Sequence, residues 1–251
     1  PEYRAFGDAP EEVQAYPGVP GRFPTCMFAT PPGPQNIAPL CPPISTVPGP
    51  TGYVQHISTA SDPFSFWLGC GTPGVDTETD GKTNDNGAAV SVCNPNVLVD
   101  CFETNCGLTF GQDERDGDGV DAGLAPGKLK FSACQPATFE YKAFNCRTTT
   151  DAYLNVLIDM NRDGDWNDNF VCPGPTTQCA YEWAVKNVVI TLAPGCNVLT
   201  TPSFLMGPNA GDGWLRITIT PTPVTNDFPW DGSAGGPGGQ GFFAGGETED
   251  Y

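Results

Sequence analysis

The chain has 251 residues, of which 31 are Gly and 27 are Pro. At roughly 1 kcal/mol per Gly and 3 kcal/mol per Pro in a helix interior, that content excludes long helices. The net charge of −18 excludes a nucleic-acid binder, which needs a basic surface, and disfavours docking on an anionic membrane.

A 39% hydrophobic fraction with 15 Phe and 5 Trp argues for a folded core. The chain carries 11 Cys and one His, His56, and has no Cys-x-x-Cys pair. Zinc sites and thioredoxin-like motifs are therefore poor readings. A disulfide framework in an oxidising, extracellular setting is the better one. The odd count leaves at least one cysteine free, modified or paired with another chain. No apolar run reaches the length of a membrane span, so no membrane insertion is expected. The start at Pro1 without Met reads as a mature secreted product.

In chain order, residues 1–50 are Pro- and Gly-rich, with extended or polyproline II character at Thr30–Pro34 and Cys41–Pro43. A short strand is expected at Tyr53–Ser58. The aromatic cluster of residues 62–69 needs burial. Residues 75–87 and 112–123 are acidic and turn-rich. Strands are expected at Lys128–Ala133, with Leu129, Phe131 and Ala133 on one face, and at Thr138–Asn145. Another covers Ala152–Asp159, with Ala152, Leu154, Val156 and Ile158 on one face. Two more, rich in β-branched residues, cover Val185–Leu192 and Trp214–Thr220. The glycine-rich stretch Asp231–Gly246 has linker composition. The expected fold is all-β: an antiparallel, jelly-roll-like β-sandwich with long Gly/Pro-rich loops, disulfides and bound calcium. Residues 1–123 pack on it or form a lobe of the same unit, and the sandwich occupies 124–251.

The sharpest motif follows the Ala152–Asp159 strand. Asp159, Asn161 and Asp163 place oxygens at alternate positions, Gly164 permits a sharp turn, and Asp165 offers its carbonyl. That order suits a hard cation wanting six to eight oxygens, and matches the first half of an EF-hand loop. The twelfth position is Phe170 instead of Glu, and a strand leads in, so this is a strand-borne calcium loop with Asp168 as candidate closing ligand. Asp76, Glu78 and Asp80 form a second candidate site, and Asp116 and Asp118 a third. The competing reading of all three is a solvated acidic turn. Catalytic readings are weak. A Ser-His-Asp triad would have to run through His56, which lacks a nucleophile-elbow sequence. Trp67 or Trp230 could stack on sugars if exposed, although Trp in a β protein more often packs in the core, as is expected for Trp166.

These motifs resemble the GEVED-domain family of secreted or surface-attached prokaryotic proteins. The resemblance rests on Gly246-Glu-Thr-Glu-Asp-Tyr251, on Leu157-Ile-Asp-Met-Asn-Arg-Asp-Gly-Asp-Trp166 and on the Arg-bearing strand Trp214–Thr220. It extends to the segment that often precedes that domain, through Gly7-Asp-Ala-Pro10, His56, Leu68-Gly69, Asp76–Gly81 and Asp118-Gly-Val120. The resemblance implies an extracellular, calcium-associated β domain without catalytic activity. The expected function is a calcium-stabilised extracellular structural protein that assembles with copies of itself into a filament, tubule or surface layer. The alternative is an adhesin or carbohydrate-binding module with a glycan partner.

Overall fold

The structure, a computed structural model, describes residues 2–5, 7, 9–25, 53–59, 65–70, 123–124, 129–166, 168–174, 178–224, 230, 232–234 and 241–251. Among them every regular element is a strand. In chain order these are β1 (Glu2–Ala5), β2 (Glu11–Tyr16), β3 (Val19–Arg22), β4 (His56–Thr59), β5 (Phe66–Leu68), β6 (Pro136–Ala137), β7 (Glu140–Asn145) and β8 (Thr150–Ile158). They continue with β9 (Asn169–Cys172), β10 (Gln178–Tyr181), β11 (Trp183–Leu192), β12 (Gly195–Thr200), β13 (Phe204–Leu205), β14 (Leu215–Thr220), β15 (Phe243–Ala244) and β16 (Glu247–Asp250).

The largest sheet has the order β11-β8-β14-β16, and a second has the order β12-β7-β5. Both are antiparallel throughout. The expected all-antiparallel pattern fails at β15, which runs parallel to β4.

Alternation in β8 directs Ala152, Leu154, Val156 and Ile158 into one core, where they meet Ile217 and Ile219 of β14, Tyr141 and Ala143 of β7, and Phe66 and Leu68 of β5. The reverse face of the large sheet is buried as well. Leu157 and Trp183 lie there in a second cluster with Tyr16, Phe23, Trp166, Trp214 and Trp230. This double coverage explains why every residue of β14 is buried, with polar side chains alternating among the apolar ones. The disulfides Cys70–Cys196 and Cys134–Cys172, whose partners are all among the described residues, fasten the periphery.

Three sequence expectations need correction. Residues 129–133 form no strand, because they pair with no neighbouring strand and instead lead into the turn at Cys134, whose φ is positive. The N-terminal region holds a β2–β3 hairpin that its Pro and Gly content concealed. The glycine-rich stretch contains β15, held by Phe243 N donating to Gln55 O and Gly245 N donating to Ile57 O.

Candidate metal centre

Strand β8 ends by delivering Asp159 to the start of a loop that runs to Asp168. Asp159 Oδ1 accepts from Arg162 N (2.6 Å), and Oδ2 accepts from Gly164 N (3.0 Å) and Tyr16 Oη (2.9 Å). Tyr16 Oη in turn accepts from Trp214 N at 3.0 Å. The Asp159 carboxylate is thus fixed by its own loop and by the N-terminal hairpin. Gly164 has φ +92°, and a Cβ there would fall 2.5 Å from Pro20 O. The residue must therefore be glycine, both for the turn and for the hairpin that lies against it. Arg22 N donates to Gly164 O at 2.7 Å and locks that approach.

Asn161 sits at the centre of the loop. Its Nδ2 donates to Asp163 Oδ2 (2.9 Å) and to Asp168 Oδ2 (2.5 Å), while its Oδ1 accepts from Asp163 N (3.1 Å). The structure therefore brings Asp159, Asn161, Asp163 and Asp168 into one connected group. Asp165 is buried beside them, close enough for its charge to act on Glu182. Asp76, Glu78, Asp80, Asp116 and Asp118 lie outside the described residues.

Glu182, between β10 and β11, escaped the sequence reading. Its Oε1 accepts from Met160 N (2.8 Å) and its Oε2 from Asp168 N (2.9 Å), so it staples both ends of the loop. Nothing local marks it, since it stands alone among apolar residues 23 positions beyond Asp159. Only the antiparallel return of the chain brings it here, with Ile158 N donating to Glu182 O at 2.9 Å.

Five carboxyl groups thus share a largely buried region. Glu182 and Asp168 are fully buried, and Asp159 is 2% exposed. Burial, then the Asp163 charge, raises Asp159 to about 7, although hydrogen bonds from Tyr16, Gly164 and Arg162 oppose the rise. Burial raises Asp163. Glu182 rises well above the carboxylate range through burial and the charges of Asp159, Asp165, Asp168 and Asp163. Such a cluster must hold protons or a cation.

Among the described residues, no three His, Cys, Asp or Glu side chains converge on one point as they would around a bound ion. The Asn161 amide stands between Asp163 and Asp168 instead. The donor set nevertheless fits a hard cation, being all oxygen and strongly anionic. Asp163 Oδ1 is buried without a hydrogen-bond partner, an acceptor the fold leaves unsatisfied.

The other motif residues meet on β14, β16 and the segments packed against them. Arg216 donates through Nε to Asp250 Oδ1 (2.7 Å) and through Nη2 to Asp250 Oδ2 (2.6 Å). Asp250 Oδ2 also accepts from Ala9 N at 2.7 Å. A Cβ on Gly7 would fall 2.6 Å from both Arg216 Nη2 and Asp250 Oδ2, which is why a glycine passes there. Glu247 accepts from Leu68 N, and Tyr251 Oη accepts from Gly123 N and Leu124 N.

His56 is fully buried between Gly245 O and Thr248 Oγ1 (2.9 and 2.8 Å), and burial lowers it to about 4. Trp67 and Trp230 are both buried, which corrects the idea that either offers a sugar-stacking face. Trp166 packs on Phe23 and under the Arg216 guanidinium.

No protein-family model matches the chain, and neither a curated protein nor a solved structure matches it.

Proposed function

We propose that this chain is a calcium-stabilised extracellular structural protein, a β-sandwich that assembles with copies of itself into a filament, tubule or surface layer. The observation that carries the calcium part is the buried group Asp159, Asp163, Asp165, Asp168 and Glu182, gathered around the end of β8. A divalent ion held by Asp159, Asn161, Asp163 and Asp168 would relieve the repulsion among these groups and fix the loop to the sheet. The Asp165 carbonyl is a further candidate donor. This reading keeps the kinship to GEVED domains that the motifs suggest, and it assigns no catalytic role.

Two features support the extracellular and assembling parts. The disulfides belong in an oxidising compartment. Among the described residues, strands β11 and β12 are sheet edges on either side of Ala193-Pro194, and they expose Val189 and Val198 at 55% and 56%. Edge strands with outward apolar residues are ready to pair with another copy. A heterologous contact of that kind that does not close builds an open array.

Sedimentation velocity in millimolar calcium and then in excess chelator tests the reading. Large particles in calcium that disperse on chelation, and that Val189→Lys prevents from forming, are expected. A monodisperse monomer in both buffers overturns the self-assembly reading.

A further inference from the structure

A cavity of about 240 Å³ opens beside the loop that follows β8, walled by Leu124, Phe131, Ile158, Met160, Met206 and Leu215. An engineered apolar cavity of about 150 Å³ already admits benzene, so this one has room for an aromatic ring or a branched aliphatic chain with a short extension. Its walls are fastened to each other. Cys134 N donates to Gly207 O (3.2 Å) and Met206 N to Gln135 O (3.1 Å). Gly207 N donates to Met160 Sδ at 3.1 Å, and Cys134 is bonded to Cys172. Protein interiors hold few voids larger than a water molecule, so a chamber of this size between fixed walls calls for an occupant.

Arg162 is the cation of the cavity's described lining. Its φ of +64° is an uncommon conformation for a residue with a side chain. Its backbone N donates to Asp159 Oδ1, yet the cation that acts on the neighbouring Asp163 carboxylate is Arg22 of β3. The Arg162 guanidinium lies over Gly211, which lines the same cavity. A Cβ on Gly211 would fall 2.6 Å from Arg162 Cζ, and Gly211 itself has φ +137°. The guanidinium is therefore seated in a place only glycine leaves open. Among the described residues the ion pair formed is Arg216–Asp250, and the Arg162 side chain joins neither an ion pair nor a hydrogen bond. The two acids of the lining are engaged elsewhere. Asp159 accepts from Tyr16 and from loop amides, and Asp212 already takes part in an interaction. The cavity thus combines an apolar chamber with one uncommitted guanidinium.

We infer that this cavity binds a small apolar monocarboxylate, an aryl-alkanoate or a short branched fatty acid. The apolar part fills the chamber and the carboxylate pairs with the Arg162 guanidinium. The planar fork of a guanidinium matches the two oxygens of a carboxylate, and such charge-assisted bonds are about twice as strong as neutral ones. An apolar cavity with a few placed polar groups is the usual form of a small-molecule site. The inference is independent of self-assembly, because a chain that stays monomeric in calcium retains the cavity.

Titration calorimetry of the full chain in calcium tests it with hydrocinnamate, hydrocinnamyl alcohol and phenethylamine, which carry a phenyl ring on a short chain and differ in the charge at its end. Saturable binding of hydrocinnamate is expected, with the alcohol about tenfold weaker and the amine weaker than the alcohol. Arg162 is exposed, so Arg162→Gln leaves the fold in place. It weakens hydrocinnamate by about tenfold and leaves the alcohol unchanged. Absence of saturable hydrocinnamate binding overturns the inference, and so does an alcohol or amine that binds as tightly as the acid. Hydrocinnamate binding that is indifferent to Arg162→Gln overturns it by placing the carboxylate elsewhere, on a bound metal for example. Equal losses of acid and alcohol in that variant overturn it too, since the guanidinium then shapes the chamber and reads no charge.

Discussion

Asp250 grips Arg216 with both oxygens in a pocket where neither side chain is exposed. The pair joins β16 to β14, and through Ala9 N and Pro24 O it also draws the N-terminal segment onto the sheet. Removing one charge strands the other in an apolar interior, where the penalty is about 3–5 kcal/mol. Asp250→Asn is therefore expected to lower the unfolding free energy by about that amount, read from urea midpoints at constant slope. Gly7→Ala should destabilise as well without altering any charge, because its methyl would collide with both members of the pair.

Asp163→Asn separates a metal site from a metal-free turn. The substitution removes one of several crowded charges and keeps the side chain's shape. In chelator the melting temperature should stay level or rise. In calcium it should fall relative to the parent, because binding to the folded state alone contributes about 2.7 kcal/mol at a hundredfold excess over Kd. The same shift in both buffers identifies a turn that holds no ion.

The loop's acids set the pH dependence. Asp159 titrates at about 7 in the folded chain without metal, against about 3.9 when unfolded. A carboxyl raised on folding contributes stability below pH 4, and that contribution is lost as pH rises through 7. Glu182 acts in the same direction. His56, lowered to about 4, works oppositely, and its contribution is lost as pH falls from about 6.5 through 4. It lies away from the loop, so it cancels when calcium and chelator are compared. The gap in melting temperature between the two buffers should therefore widen steadily from pH 4 to pH 8, as the acids ionise and bind metal. A gap independent of pH would count against these carboxylates as ligands.

The two described disulfides should rank by the loops they close. Cys70–Cys196 spans 126 positions and Cys134–Cys172 spans 38, which by chain entropy corresponds to about 5 and about 4 kcal/mol. Replacing each pair by serines and comparing guanidinium midpoints should show the larger loss for Cys70–Cys196. A reversed order would point to native-state packing, not loop closure, as the source of the stabilisation.

Legibility followed the range of the interactions. Strands β8, β11 and β14 were readable because alternation and β-branched residues report burial locally. The oxygen spacing from Asp159 to Asp168 was readable for the same reason, since one loop carries it. Glu182 and Tyr16 were not, because each joins the group only through tertiary pairing. The β2–β3 hairpin was hidden by Pro and Gly, residues that mark turns whether or not strands flank them. Residues 129–133 misled in the opposite sense. Their alternation is real, and Leu129, Phe131 and Ala133 do share a face, but that face lines a cavity and lacks a neighbouring strand to pair with.

Ala9 and Asp250 lie 241 positions apart in sequence and 2.7 Å apart in space. Tyr16 and Trp214 are 198 apart and hydrogen-bonded. Contacts of such sequence separation pay their loop-closure entropy late, and chains dominated by them fold in milliseconds to seconds. The segment from Gly7 to Thr25 docks on the loop after β8 and on the Arg216–Asp250 pair, so it should be late to acquire protection from amide exchange during refolding. Until β16 pairs with it, strand β14 keeps one edge open while β8 covers the other. The same chain that is proposed to polymerise when folded is therefore most exposed to wrong association just before it finishes folding, and a delay in β16 pairing would lengthen that exposure.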